Sequence, residues 1–193
     1  MSNKQKGLVE KLVSAKGNNS AFRKEANIIA SFLTRQYQES FNGKPAETLA
    51  VVIMRAGEAL LPAFQKRFSG LKIGRIYAKR EEKTLNCRVQ KVDLPKVSVK
   101  RVIILDPMLA SGGTIDASIK LLRDKYQVGP QNIVVIAVFS TKKGEERVKR
   151  KHRGVKILSL LKDLELDKKG FILIPQNQSG FATFDFGDEY CGR

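Results

Sequence analysis

The 193-residue sequence contains no tryptophan, one histidine and two cysteines. Cys87 and Cys191 cannot build a disulfide framework or a zinc site, and this scarcity is typical of a reducing compartment. The longest apolar runs, such as residues 133–139, are far shorter than the ~18 residues that a membrane helix requires. The N-terminal segment has no apolar signal core. We therefore expect a cytoplasmic protein that neither spans a membrane nor is secreted.

Positively charged side chains are abundant, with 36 lysines and arginines against 19 aspartates and glutamates and a formal net charge of +17. An excess of this size favours an anionic partner, either a phosphate-bearing ligand or a nucleic acid. Hydrophobic residues make up 42% of the chain, which is enough for the core of a domain of ordinary size. We expect residues 1–193 to form a single domain.

Short apolar runs alternate with amphipathic helical patterns along the chain. The predicted strands are 49–54, 101–105, 132–139, 155–160 and 171–174. The predicted helices contain an apolar stripe at residues 22, 26, 29, 33 and 37, or lie at about 58–68, 115–126 and 144–151. This alternation predicts an α/β fold with a mostly parallel twisted sheet flanked by helices. In such sheets ligands bind at the carboxyl ends of the strands.

Two segments interrupt the alternation. Residues 76–100 are charged and rich in β-forming residues, which favours a protruding hairpin or flexible arm. Residues 176–193 contain three glycines and several aromatic residues, a composition that is typical of a structured loop.

The most informative segment is 101–122, with the sequence RVIILDPMLASGGTIDASIKLL. A buried strand delivers Asp106 at its carboxyl end, and Gly112 and Gly113 let backbone N–H groups converge at the start of a helix. Hydroxyl groups of Ser111 and Thr114 add donors, so the segment predicts a seat for a monophosphate beside a carboxylate that can bind sugar hydroxyls. The Walker A and GxGxxG patterns are absent. A Gly-Gly pair can also do no more than turn a strand into a helix.

The segment LDPMLASGGT closely resembles the 5-phosphoribosyl 1-diphosphate (PRPP) loop of uracil phosphoribosyltransferases. Other segments resemble landmarks of that family in the same order, namely SAFRKEANIIASFL, AVVIMRAGEAL, REEKTL with KVDLP, and DFGDEYCG. The resemblance implies a type I phosphoribosyltransferase fold with a protruding β-arm at about 76–100 and a C-terminal hood loop at 171–193. It also implies an enzyme of pyrimidine salvage that converts uracil and PRPP to UMP and diphosphate, as a homodimer or higher homo-oligomer.

The resemblance assigns roles to individual residues. Three would be catalytic: Arg55 contacts the diphosphate, Arg80 closes over it from the arm, and Asp106 holds the ribose hydroxyls. The PRPP-binding residues would be Asp106, Pro107, Met108, Leu109, Ala110, Ser111, Gly112, Gly113 and Thr114. The base-binding residues would be Ile172, Asp185, Phe186 and Gly187. The cofactor would be Mg²⁺, which Asp185 and Asp188 would approach indirectly, through PRPP.

Three departures from the family pattern leave the identity of the base open. Pro175 and Asp188 are separated by six more residues than in the family, and Glu189 replaces an Arg or Lys. Glu58, beside the RAG turn (residues 55–57), replaces an apolar residue. Two alternatives follow. The chain is a phosphoribosyltransferase for another nucleobase, or a catalytically weak regulator on the same fold that senses PRPP or a nucleotide and binds RNA.

Three further features have two interpretations each. The basic run 149–153 is either a polyanion patch or a solvated helix end, and we expect His152 within it to be solvated. The segment 141–144 either touches the PRPP loop or only starts a helix. Aromatic side chains near the C-terminus either stack on a base or pack within the loop: Phe181, Phe184 and Phe186.

Overall fold

A nine-stranded sheet is the central element of the computed structural model, which describes residues 2–40, 43–80, 87–176 and 180–192. In chain order the strands are β1 (Thr48–Met54), β2 (Lys72–Arg80), β3 (Cys87–Asp93), β4 (Arg101–Leu105), β5 (Met108–Leu109), β6 (Ile133–Thr141), β7 (Lys156–Leu166), β8 (Ile172–Pro175) and β9 (Phe181–Ala182). The α-helices are α1 (Asn3–Ser14), α2 (Asn19–Ser40), α3 (Leu61–Arg67), α4 (Gly113–Tyr126), α5 (Lys142–Lys151) and α6 (Phe186–Cys191). Short 3₁₀ helices cover Pro45–Glu47, Ala56–Ala59 and Pro130–Asn132.

The centre of the sheet is parallel and its edges are antiparallel. Across the sheet the order is β3–β2–β1–β4–β6–β7–β8–β9, with the short β5 paired to β6. The strands from β2 through β1, β4 and β6 to β7 pair in parallel. β3 at one edge, and β8 and β9 at the other, run antiparallel to their neighbours. The predicted mostly parallel α/β sheet is therefore confirmed.

The direction of winding reverses between β1 and β4. From β1 the chain moves to β2 on one side, and it then crosses to β4 on the other side of β1. The carboxyl ends of β1 and β4 thus border the crevice in which doubly wound sheets usually bind their ligands. Both segments that follow these ends, the RAG turn and residues 106–114, were singled out by the sequence.

Helices cover both faces of the sheet, and each face buries its own apolar cluster. One cluster joins α1, α2, α3 and α6 to the sheet, and the other joins α4 and α5 to the opposite face. The predicted apolar stripe at 22, 26, 29, 33 and 37 is buried along α2, which confirms that helix and its orientation. Along β4, alternate residues enter alternate clusters, and this explains why its sequence is apolar throughout.

The helix predicted at about 58–68 is split in two. The 3₁₀ helix Ala56–Ala59 precedes α3, which begins at Leu61. Pro62 lies in the first turn of α3, where its missing N–H breaks no helical hydrogen bond. The apolar pattern covers both pieces, so periodicity alone could not locate the break.

The C-terminal third contains more regular structure than the sequence predicts. β7 continues to Leu166 instead of ending near residue 160. The sequence did not predict this extension, because the second half of the strand mixes exposed charged residues with buried leucine and forms no apolar run. The tail 176–193, which we expected to be a loop, contains β9 and α6. Asp185 caps α6 by accepting a hydrogen bond from the backbone N–H of Asp188.

The predicted arm begins within β2. β2 and β3 form an antiparallel pair, with a register shift between Tyr77 and Ala78, and most of β3 is exposed. Residues 81–86, which join the two strands, lie outside the described residues. Among the helices that the structure describes, none combines the length and apolarity that crossing a bilayer would require.

We expect Phe22 to be the most sensitive position of α2. Its fully buried ring meets the rings of Phe184 and Phe186 edge-on, with centroid separations of 5.5 and 5.0 Å. Phe22→Ala should lower the free energy of unfolding by about 3–5 kcal/mol, because it leaves a cavity that three elements share. Ile28→Ala, on the exposed face of the same helix, should cost less than about 1 kcal/mol. Urea denaturation measures both, and equal costs would contradict the assigned packing.

Candidate active site at the switch point of the sheet

A backbone loop at the end of β4 forms the centre of the candidate site. Asp106 is buried directly after β4, and its carboxylate accepts a hydrogen bond from the backbone N–H of Met108 at 3.2 Å. The carbonyl of Pro107 accepts hydrogen bonds from the N–H groups of Val138 and Phe139, which ties the loop to β6. A small cavity above the loop is lined by residues 108–115 together with Asp106 and Cys87.

The loop turns into α4 at Gly112. Gly112 has φ +73°, a left-handed conformation that side chains disfavour, and it is the N-cap of a 14-residue helix. Ser111, Gly113 and Thr114 surround this N-terminus and line the cavity. Unpaired N–H groups and the positive end of the helix dipole therefore converge there, as required to bind a phosphate.

The start of α5 lies directly against this loop. Thr141 donates its hydroxyl to the carbonyl of Ala110 at 2.6 Å and accepts from the N–H of Gly144 at 2.9 Å. A Cβ atom on Gly144 would lie 2.2 Å from the Ala110 oxygen, and one on Gly112 would lie 2.7 Å from the Gly144 oxygen. Segment 141–144 therefore contacts the loop, and the interpretation that it only starts a helix is wrong, although Thr141 does cap α5.

A second contact between the two helices is formed by Asp116 in the first turn of α4. Arg147 and Lys151 donate to its Oδ2 atom, Lys151 at 2.6 Å and Arg147 through two nitrogens at 3.2 and 3.3 Å. His152 Nε2 lies 3.0 Å from Oδ1. Burial raises the pKa of the Asp116 carboxyl, but the hydrogen bonds from Lys151, His152 and Arg147 outweigh it, so its pKa is below the ordinary value.

The expectation that His152 is solvated is wrong. Only 7% of its surface is exposed, and its ring pairs with Asp116 on a different helix. The basic run is therefore only partly a solvated helix end, because Lys151 and His152 are directed at one carboxylate. A run of cations in a sequence does not show which of its members meet a carboxylate 35 residues away.

The RAG turn brings Arg55 to the same edge of the sheet. It follows β1 after a cis peptide bond between Met54 and Arg55, and a Cβ on Gly57 would lie 2.3 Å from the carbonyl oxygen of Leu105. The turn therefore touches the last residue of β4, next to Asp106. The guanidinium of Arg55 is half-exposed and binds the Asp188 carboxylate of α6 at 2.5 Å.

Glu58, the carboxylate beside the RAG turn, is paired. Arg75 of β2 donates to it through Nε at 2.7 Å, in an ion pair that is about one-third exposed on each side. This contact neutralises the charge that otherwise would oppose a diphosphate near Arg55. The sequence could not reveal the pair, since it depends on the parallel register of β1 and β2.

The C-terminal segment is anchored to the core by its aromatic residues. Phe184 and Phe186 are buried against Phe22, and Phe184 also meets Phe139. Of the two interpretations for these rings, packing is confirmed. Phe181 differs, since it is 62% exposed at the start of β9.

Two polar contacts join α6 to the N-terminal helices. Glu189 accepts a hydrogen bond from the backbone N–H of Gly17 at 2.9 Å, in the connection between α1 and α2. Arg23 donates to the carbonyl oxygens of Tyr190 and Cys191 at 2.6 and 3.0 Å. The departure at Glu189 therefore has a structural role, and Arg23 is a supporting residue that the sequence analysis missed because its partners are backbone atoms.

The remaining assigned residues are Arg80 and Ile172. The backbone of Arg80 pairs with that of Cys87, which lines the cavity. Arg80 ends β2, and its side chain lies outside what the structure describes. Ile172 is 1% exposed in the apolar cluster at the start of β8, so only its backbone could reach a ligand.

The carboxylates assigned to Mg²⁺ have other partners. Asp185 accepts from the backbone N–H of Asp188 at 3.0 Å, and Asp188 binds Arg55. Within the described residues, no group of three His, Cys, Asp or Glu side chains is arranged to ligate a metal ion. The donor set thus fits an ion that arrives bound to a diphosphate better than one held by the protein alone.

Comparison with known proteins agrees with the geometry. The chain matches the family model for uracil phosphoribosyltransferase over residues 11–188. It is 32% identical to a uracil phosphoribosyltransferase of Aquifex aeolicus over 127 residues, which are 66% of this chain and 60% of that protein. It is 32% identical to one of Dictyostelium discoideum over 143 residues, or 74% of this chain and 62% of that protein. Both matches span less than two thirds of the relative's length.

Solved structures share the fold. A protein from Aquifex aeolicus superposes with a TM-score of 0.84 at 24% identity, covering 98% of this chain and 95% of that one. A xanthine-guanine-hypoxanthine phosphoribosyltransferase from Helicobacter pylori gives a TM-score of 0.51 at 19% identity, over 74% of this chain and 82% of that one. The predicted fold class, an α/β sheet of the type I phosphoribosyltransferase kind, is confirmed.

We expect Gly144→Ala to disturb the loop. The new methyl group would overlap the Ala110 carbonyl, and displacing it should cost about 1–3 kcal/mol of unfolding free energy. Gly7→Ala is the matched control, since a Cβ there meets nothing within 4 Å and alanine favours the helix by roughly 1 kcal/mol. Chemical denaturation compares the two, and an unchanged stability for Gly144→Ala would show that the loop and α5 do not touch.

The lowered pKa of Asp116 predicts how its contribution depends on pH. A carboxyl whose pKa is lower in the folded state stabilises the protein above its unfolded pKa of about 4 and loses this contribution as the pH falls through the folded value. Asp116→Asn should therefore lower the unfolding free energy at pH 7 by about 1–3 kcal/mol. The difference from the unaltered chain should shrink as the pH falls below about 4, because the carboxyl then protonates in the unfolded state first and in the folded state only at a lower pH. A difference that is constant from pH 7 to 3 would contradict the assigned ion pairs.

Proposed function

The chain belongs to the uracil phosphoribosyltransferase family, and we propose that it transfers the phosphoribosyl group of PRPP to uracil, giving UMP and diphosphate. The observation that carries this proposal is the meeting of two segments at the switch point. The arginine-bearing turn after β1 touches, through Gly57, the carbonyl of Leu105 at the end of β4, and the phosphate-seating loop begins at the next residue. A substrate with a phosphate at one end and a diphosphate at the other fits such a pair of sites.

PRPP would lie across the two loops. The N–H groups at the start of α4, with the hydroxyls of Ser111 and Thr114, would hold the 5-phosphate, and the Asp106 carboxylate would accept hydrogen bonds from the ribose hydroxyls. Arg55 would bind the diphosphate. Arg80 would reach it from the end of β2 once the arm closes, which would also exclude water.

The reaction demands little from protein acids and bases. The bond from uracil N1 to the anomeric carbon forms, the bond from that carbon to the diphosphate oxygen breaks, and the N1 proton is released. Positive charge develops on the ribose while negative charge grows on the diphosphate. Positioning of the two substrates and stabilisation of the leaving group would therefore supply most of the rate.

The pair between Arg55 and Asp188 would link the two substrates. A guanidinium carries five N–H donors, so Arg55 can bind a diphosphate while it keeps a contact to Asp188. Asp188 belongs to α6, whose N-cap is Asp185 and whose first two residues are Phe186 and Gly187, the assigned base-binding residues. Binding of PRPP would thus fix the segment that receives the base.

Uracil would be recognised mainly by backbone groups of this segment. The rings of Phe184 and Phe186 point into the core, and Ile172 is buried, which leaves amide and carbonyl groups to face the base. A second candidate is transfer to another nucleobase. It is favoured by the added residues after Pro175, which belong to the segment between β8 and the assigned base-binding residues.

Mg²⁺ is part of the proposal as an ion bound to the diphosphate of PRPP. It would offset negative charge on the leaving group, Asp185 and Asp188 would approach it indirectly through PRPP, and no step above depends on it. The homo-oligomeric state, the single-domain organisation and the cytoplasmic location stay predictions.

The proposal is tested by incubating the purified chain with PRPP, Mg²⁺ and one nucleobase at a time, with diphosphate release as the readout. Release with uracil alone is expected, and release with a different base would instead support the second candidate. The absence of diphosphate release with every base would contradict the proposed function.

We further expect Arg55→Ala to lower kcat/KM for PRPP by about 10²-fold or more, as for other donors that stabilise developing negative charge. Arg67→Ala is the matched control. Arg67 is an exposed arginine of α3 whose guanidinium binds Gln38 on α2. Similar losses in both variants would remove Arg55 from the proposed role.

A further inference from the structure

The phosphate loop, residues 106–114 after β4, is attached to α5 both before and after the point where the loop enters α4. On the incoming side, Thr141 binds the carbonyl of Ala110, and Gly144 lies against Gly112. On the outgoing side, Asp116 binds two side chains of the same helix and that of its C-cap residue, His152. The N–H groups that would hold a phosphate lie between these two attachments. A single helix therefore determines where they point.

The position of the Asp116 carboxylate is unfavourable for binding an anion nearby, so its presence calls for a structural explanation. It lies within one helical turn of the phosphate seat, where a negative charge repels a phosphate. The side chain is 15% exposed and remains charged because Arg147, Lys151 and His152 surround it. The chain thus keeps a costly charge at the site together with groups that compensate it.

We propose that Asp116 is a positioning residue that fixes the phosphate loop against α5, so that the loop is already shaped for the 5-phosphate of PRPP. The inference rests on the proposed function for the identity of the ligand. Asp116 acts through the loop and does not touch substrate. Thr141 holds the other side of the loop in the same way.

Three roles for Asp116 predict different signs in a binding experiment. If it positions the loop, its loss weakens phosphate binding. If it acts only by its charge, its loss strengthens phosphate binding, because a repelling carboxylate is removed and Arg147 and Lys151 are released. If it only stabilises the fold, binding by the folded fraction does not change.

The test measures the dissociation constants of ribose 5-phosphate and of inorganic diphosphate by calorimetry, with Asp116→Asn and the unaltered chain. Ribose 5-phosphate probes the loop alone, whereas diphosphate probes the Arg55 side. We expect Asp116→Asn to weaken ribose 5-phosphate by roughly 5- to 50-fold, the usual range of coupling between neighbouring sites. The dissociation constant of diphosphate should change by less than about 2-fold, because diphosphate probes the Arg55 side. An equal loss of affinity for both ligands would instead indicate general unfolding.

Two controls make the result specific. Glu47→Gln breaks an ion pair with Lys100 that lies before β1, at the opposite end of the strands, and it should alter neither constant. Thr141→Val should weaken ribose 5-phosphate while Thr141→Ser retains it, because only serine keeps the hydroxyl that binds Ala110. If Asp116→Asn fails to fold, the comparison of Thr141→Val with Thr141→Ser still tests whether attachment to α5 positions the loop.

Unchanged or tighter binding of ribose 5-phosphate in Asp116→Asn would overturn the inference, as would equal affinities in Thr141→Val and Thr141→Ser. If the unaltered chain binds ribose 5-phosphate but turns over no base, the proposed function fails and the positioning test still stands. If the unaltered chain does not bind ribose 5-phosphate at all, both are overturned.

Discussion

The close approach of two backbone segments at Gly112 and Gly144 is the constraint on which the rest of the site depends. Neither position has room for a Cβ atom, so the first turn of α5 lies directly on the loop that follows β4. The loop must then start α4 from a left-handed residue, which only glycine adopts without strain. A similar contact, between Gly57 and the carbonyl of Leu105, joins the turn after β1 to the end of β4. Backbone packing thereby assembles the crevice from segments that are far apart in the chain.

The other side of the crevice is held by side chains. Rings of the C-terminal segment pack into the cluster around Phe22, while Arg23 and Glu189 connect α6 to the N-terminal helices. The proposed base segment therefore depends on α2, although α2 contributes no group to the chemistry. Through Arg55 and Asp188 this side is joined to the diphosphate side. The phosphate loop is rigidly supported from one face of the sheet, and the base segment is supported from the other.

Local signals in the sequence were sufficient for the central strands of the sheet, the stripe of α2 and the strand–turn–helix path of the loop after β4, because each depends on residues that are close together in the chain. The apolar run of β4 predicts a buried strand, and the glycines at 112 and 113 predict the turn into a helix, without reference to distant residues. Other features depend on pairing over long distances. His152 with Asp116, Glu58 with Arg75 and Glu189 with Gly17 are contacts that periodicity does not encode. The end of β7 was missed for a different reason, since its burial pattern there alternates with charged residues.

Amide hydrogen exchange with and without ribose 5-phosphate tests the central claim most directly, namely that the loop after β4 is a preformed phosphate site. We expect exchange to slow in peptides covering residues 110–116 and the adjoining peptides of α5 to change little, because α5 already supports the loop before the ligand arrives. Slowed exchange confined to the exposed basic face of α5, with no change in the loop, would assign phosphate binding to the surface cations instead and would exclude a preformed site in the loop.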